Sequence, residues 1–130
     1  MTLFDHNTQA LEEWRDGVMT QMRISALNGS HQLCVFEQWC EPGKGARLHR
    51  HAVEELIDIM DGVAEFTCGD AKHVVSTNQS VLIPAGCLHG FSNVGDRPLH
   101  LRATLAAPVF EARYEDEEGI TLRWLPDDNS

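Results

Sequence analysis

The chain has 130 residues, 42% of them hydrophobic and 23% charged, and carries a formal net charge of −10. That length suits a single domain able to bury its own core. The acidic balance, with ten Lys and Arg scattered rather than grouped, excludes a phosphate-rich partner such as nucleic acid. No apolar run approaches the roughly 20 residues that span a bilayer, so a membrane is not an expected partner. The first residues lack a basic region followed by an apolar core, and the expected location is cytoplasmic.

Residues 5–16 are predicted to form a short helix, capped by Asp5 or Asn7, with Ala10, Leu11 and Trp14 as its apolar side. Gly17 ends it. Alternation over residues 18–26 predicts a strand, with Met22, Ile24 and Ala26 on one face and Arg23 and Ser25 on the other. Asn28-Gly29 signals a hairpin, and residues 32–40 return as a strand rich in β-formers, broken by Glu41-Pro42-Gly43. Further strands are predicted over residues 48–51, 55–60, 63–68, 72–76, 81–83, 89–94 and 99–106, separated by turn residues. Beyond Pro108 the chain reads as a cap with an acidic tail, of which Glu115-Asp116-Glu117-Glu118 is a solvated segment. The organisation is therefore an arm over residues 1–17, a β-barrel or sandwich over 18–107, and a cap and tail over 108–130. Cys34, Cys40, Cys68 and Cys87 show no Cys-x-x-Cys spacing and are expected to be reduced thiols, Cys87 as a buried one.

The chemistry concentrates between Gly43 and Asn93. His49 and His51 stand two apart, so an extended strand projects both imidazoles from one face. Glu55 opens the next strand with the parity of the apolar Ile57 and Ile59. Two imidazoles and a carboxylate converging from one face make part of a metal site. A Pro84-x-Gly86 turn then leads into a strand that begins with His89.

These residues resemble the two motifs of the cupin superfamily. Gly43, His49, His51, Glu55 and Gly62 fill the first, over residues 43–62. Pro84, Gly86, His89 and Asn93 fill the second, over 78–93, with Asn78 where the pattern has a leading glycine. Asn is the ordinary residue most tolerant of a left-handed turn, so that departure is mild. The resemblance implies an all-β, single-domain jelly-roll barrel of two antiparallel sheets, here with the short N-terminal helix. It also implies one divalent transition metal (Fe, Mn, Ni, Zn or Cu) held by His49, His51, Glu55 and His89, which leaves room for a small-molecule ligand or substrate. The three-His, one-Glu set resembles the family's dioxygenases of the quercetinase type and its polyketide cyclases. A ligand-binding or sensing cupin without catalysis is the alternative.

Within that frame Glu55 is preferred over Glu54 as ligand, because Gly62 lies seven residues after it. His6, His31 and His73 are expected to be solvated. His100 follows the His89 strand and is the candidate acid, base or hydrogen-bond donor near the metal. Phe91, Ile57 and Phe36 are expected to form an apolar wall. Arg23 or Arg102 would be anion hooks, and Glu37 is a further ionisable candidate. Asn93 is read as a satisfied amide at a turn or strand end. A homodimer is expected, with Trp39, Trp124 or exposed edge strands as contacts.

Overall fold

The computed structural model describes residues 1–126, and the last four residues of the expected acidic tail lie outside the described residues. Among the described residues there are twelve strands: β1 (Glu12–Arg15), β2 (Val18–Ile24), β3 (Cys34–Cys40), β4 (Gly45–Arg50), β5 (Glu55–Asp61), β6 (Val63–Cys68), β7 (Ala71–Ser76), β8 (Ser80–Ile83), β9 (His89–Asn93), β10 (Leu99–Leu105), β11 (Phe110–Tyr114) and β12 (Thr121–Arg123). They form two six-stranded sheets, in the orders β1-β2-β3-β10-β5-β8 and β12-β11-β4-β9-β6-β7, with every pairing antiparallel. This is the expected all-β, two-sheet jelly roll.

Period-two burial explains which face of each strand turns inward. In β10, Leu99, Leu101, Ala103 and Leu105 are buried while His100, Arg102 and Thr104 are half-buried on the outer side. In β5, Glu55, Ile57 and Ile59 are buried and Leu56 and Met60 are exposed. The inward residues of both sheets, including Phe36, Phe66, Phe91 and Phe110, form one core cluster.

Four local expectations are corrected. The segment 5–16 is not a helix. Only His6–Thr8 makes a 3-10 turn, capped by the Asp5 side chain, and Glu12–Arg15 pairs with β2 as a strand. A segment this short gains more from sheet pairing, which seats Trp14 in the core, than from an isolated helical turn. Strand β2 stops at Ile24, where Ser25 caps a second 3-10 turn, Ala26–Asn28, and Gly29 takes φ 109°. Beyond Pro108 the chain is not merely a cap, because β11 and β12 extend the second sheet. Finally, Cys68 and Cys87 are joined in a disulfide, while Cys34 and Cys40 are free and buried.

Two turn expectations hold. Asn78 adopts φ 68°, the left-handed conformation its position in the second motif demands, and Gly86 adopts φ 80° after Pro84. Gly45 is required for a different reason. A Cβ there would meet the Phe91 carbonyl oxygen at 2.1 Å, so only glycine lets β4 approach β9 this closely.

Candidate metal centre

His49 lies near the end of β4 and His89 starts β9, opposite it in the ladder. The β4–β9 register slips between Ala46 and His49, a bulge that turns both residues inward although they are three apart. His51 sits one residue beyond the end of β4, and Glu55 opens β5. All four side chains are buried, and their candidate ligand atoms lie within 4.8 Å of one another. The structure thus brings together the four residues that the sequence placed in one site. Glu54 is exposed, as expected if Glu55 is the inward carboxylate.

The hydrogen bonds fix how each imidazole points. His49 Nδ1 lies 2.7 Å from the Arg47 carbonyl, His51 Nδ1 2.5 Å from the Glu111 carbonyl and His89 Nδ1 2.8 Å from the Cys87 carbonyl. A carbonyl can only accept, so each Nδ1 carries its hydrogen and each Nε2 presents a lone pair in the neutral ring. His89 Nε2 is 3.0 Å and His51 Nε2 3.3 Å from Glu55 Oε1. Lone pairs opposed at such distances need a cation between them, either a proton or a metal ion. His51 Nε2 is also a buried nitrogen with no conventional hydrogen-bond partner. Three imidazole nitrogens and one carboxylate oxygen are a donor set that fits a divalent transition metal.

Electrostatics agree with a site built around positive charge. Burial and the neighbouring His89 push the His49 pKa down to about 4, so that ring stays neutral and free to ligate. Burial pushes Glu55 upward, but the facing His51 and His89 rings, which favour the carboxylate when they carry a proton, outweigh it and leave the carboxyl at about 2. For His51, burial acts downward and is outweighed by the Glu55 carboxylate, which raises its pKa.

Beside the four residues is a cavity of about 20 Å³, lined among others by His49, Glu55, Phe36, Ile57 and Phe91. The expected apolar wall is therefore in place. Trp14, Arg15, Phe110 and Tyr114 also line the cavity, and these the sequence reading missed. Phe110-Glu111-Ala112-Arg113-Tyr114 does alternate as a strand should, a signal hidden by its position after Pro108. Tyr114 lies 5.4 Å from His49, ring to ring, and burial raises its pKa, so it remains a protonated phenol.

Several nominated residues are elsewhere. His100 is on the outer face of β10, its ring stacked 4.7 Å from Trp39 and its Nε2 2.5 Å from Glu37 Oε1. Arg23 pairs with Glu37 and Arg102 with Asp58 on that same outer face, so His100, Glu37, Arg23 and Arg102 do not reach the candidate metal centre. Trp124 is not a free surface contact but packs against Trp14, Phe36 and Phe110. Asn93 is buried, donates to the Cys40 and Arg97 carbonyls and accepts from Gly95 N–H. That is a satisfied amide at a strand end, as the sequence suggested.

Comparison with known proteins fits this geometry. Mannose-1-phosphate guanylyltransferase 2 of Escherichia coli O157:H7 is 38% identical over 63 residues, covering 47% of this chain but only 13% of the relative. The structure of polyketide cyclase RemF from Streptomyces resistomycificus superposes with a TM-score of 0.76 at 17% identity, covering 91% of this chain and 87% of the other. The Bacillus subtilis oxalate decarboxylase, studied for its Mn(II) centers, gives a TM-score of 0.73 at 19% identity over 79% of this chain and 29% of the other. At such identities these structures speak for the fold alone. The family described as Cupin domain matches residues 37–106, which contain both motifs and all four residues of the centre. The chain belongs to the cupin family.

Proposed function

We propose that this cupin is a small divalent-metal-dependent enzyme acting on an oxygen-bearing small molecule, of the dioxygenase or the cyclase and isomerase type. The observation that carries this reading is the triple pinning of Nδ1 to main-chain carbonyls, which aims three Nε2 atoms at the Glu55 carboxylate. A divalent metal bound there supplies Lewis-acid polarisation of a substrate oxygen and, when redox-active, electron transfer to dioxygen. The chain's own contributions are positioning and water exclusion. Phe36, Ile57 and Phe91 give the interior beside His49 and Glu55 apolar walls, and Tyr114, protonated, is a hydrogen-bond or proton donor rather than a base. With His100, Arg102 and Glu37 on the outer face, mechanisms that need a dedicated side-chain base lose their candidates. That weakens the cyclase and isomerase type, which needs a base beside the Lewis acid, and favours redox chemistry at a bound metal. The nucleotidyl transfer named for the guanylyltransferase relative is not part of the proposal, because the chain spans 13% of it.

A non-catalytic binding or sensing cupin is the second reading, because the interior beside His49 and Glu55, about 20 Å³, has room for about one water-sized group and so little room for a substrate to reach the candidate metal. The same overall reading takes the protein as a homodimer using exposed sheet edges or Trp39, which sedimentation equilibrium tests directly.

The deciding experiment pairs elemental analysis of protein expressed without added metal with oxygen uptake on an anaerobically Fe(II)-loaded sample. Bound iron, manganese, nickel or copper with uptake on enols, diketones or flavonols supports the oxygenase form. Zinc without uptake moves the reading to a cyclase, isomerase or binder. His51→Ala is expected to lose most bound metal while remaining folded; stoichiometric metal in that variant would refute the assignment.

A further inference from the structure

The two sheets end side by side at β7 and β8, and the gap between these edges is a cleft of about 650 Å³. Register shows which side chains face into it. On one wall Phe66 is opposite His73 and Cys68 is opposite Ala71, so His73 and Ala71 project from the face that carries buried Phe66 and Val75. On the other wall, Val81 and Ile83 are opposite Ile57 and Glu55 and share their inward face. The cleft also reaches His89, one of the four residues of the metal centre.

Its volume falls in the range of about 300–1,000 Å³ typical of small-molecule sites, whereas the barrel interior beside His49 offers about 20 Å³. That interior is closed by Trp14, Phe36, Phe110 and Trp124, whose rings lie within 6.1 Å of one another, with Arg123 stacked on Trp14. A ring compound therefore fits the cleft and not the plugged interior. The lining is chemically one-sided. Among the described residues it includes no Asp, Glu, Lys or Arg, in a chain with thirty such residues. Apart from His89, its one imidazole is His73, which is exposed and free to meet a ligand. A charged ligand entering here would shed water without gaining a counter-ion, whereas an apolar ring would gain by burial.

We infer that the cleft between β7 and β8 binds a neutral, largely apolar ring compound bearing a hydroxyl or carbonyl oxygen, with His73 hydrogen-bonding that oxygen. Binding itself needs no metal. The idea that the cleft feeds the centre at His89 rests on the metal-dependent reading above.

Three probes sharing one skeleton test this: 2-naphthol, naphthalene and the anion 2-naphthalenesulfonate. Equilibrium dialysis against metal-free and metal-loaded protein is expected to show 2-naphthol binding at least about tenfold more tightly than the sulfonate. Ala71→Trp, at an exposed position on the cleft wall, is expected to weaken 2-naphthol by about tenfold or more. His73→Leu is expected to reduce 2-naphthol to the affinity of naphthalene and to leave naphthalene unchanged. Elemental analysis of both variants is expected to show unchanged metal content. Undiminished binding to Ala71→Trp, or sulfonate binding as tight as 2-naphthol, overturns the proposal. So does absence of binding with a changed sedimentation-equilibrium mass in Ala71→Trp, which would place a second copy of the chain in the cleft. If 2-naphthol binds as expected to a protein that holds no metal, the cleft stands and only the metal-dependent reading fails.

Discussion

Asn93 separates a structural role from a chemical one within the second motif. Its amide donates 2.9 Å to the Cys40 carbonyl at the end of β3 and 2.8 Å to the Arg97 carbonyl in the β9–β10 turn, and its oxygen accepts from Gly95 N–H at 2.8 Å. Asn93→Ala removes all three bonds. Orphaning the buried Cys40 partner costs about 1–3 kcal/mol, and each part-buried bond contributes about 0.5–1.5 kcal/mol, so the expected loss is about 4 kcal/mol. With an unfolding entropy near 2.1 cal/mol/K per residue, that is a fall in Tm of about 15 °C for a chain this long. Asn93→Asp should be worse, because a buried carboxylate would face two carbonyl oxygens that it cannot donate to. Urea unfolding and calorimetry measure the cost, and elemental analysis measures metal. Both variants should keep the metal stoichiometry of the native protein. An alanine variant within about 1 kcal/mol of native stability would refute the hydrogen-bond argument. An alanine variant of native stability that had lost its metal would instead make Asn93 part of the centre.

Three further outcomes are expected. In metal-free protein, His49 at about 4 and Glu55 at about 2 both lie below their ordinary values of 6.5 and 4.5, so each adds stability above its ordinary value that is lost as pH falls through the folded one. Urea midpoints should therefore decline from pH 6.5 towards pH 4 and further towards pH 2, and a flat profile would contradict the site's electrostatics. Thiol titration of unreduced protein should find two reactive groups only after denaturation, because Cys34 and Cys40 are buried with pKa values pushed up to about 12 and about 11, chiefly by burial. Four groups without reductant would show that Cys68 and Cys87 are not bridged. Gly45→Ala should fold poorly or not at all, since its Cβ would lie 2.1 Å from the Phe91 oxygen; a variant with native Tm would mean that β4 and β9 can separate freely.

The motif residues were readable from sequence because their constraints are local. Spacing alone sets the parity of Glu55 with Ile57 and Ile59, and Asn78 takes the positive φ that its place in the motif predicts. The tertiary placements were not readable. His100 is the exception, because the apolar alternation of Leu99, Leu101 and Ala103 in the sequence already sets it on the outer face. Trp14 was misjudged because four residues of strand and one turn of helix share a pattern, and pairing with β2 decided the matter. The Cys68–Cys87 bridge escaped because its partners are 19 residues apart and meet only when β6 lies beside β9.

The atoms that orient the histidines are main-chain carbonyls, not side chains. Arg47 supplies one from β4, Cys87 one from the turn before β9, and Glu111 one from β11. No substitution can delete such a partner; only a shift of backbone can. The alignment of three Nε2 lone pairs is therefore a property of the barrel as a whole. Glu111 makes this concrete, because its carbonyl holds His51 while its carboxylate accepts from Ala52 N–H at 2.9 Å, gripping the loop between the two ligand-bearing strands. Strand β11, which the sequence suggested was a cap beyond the barrel, is thus a wall of the candidate metal centre. Its loss would release His51 even with every candidate ligand intact.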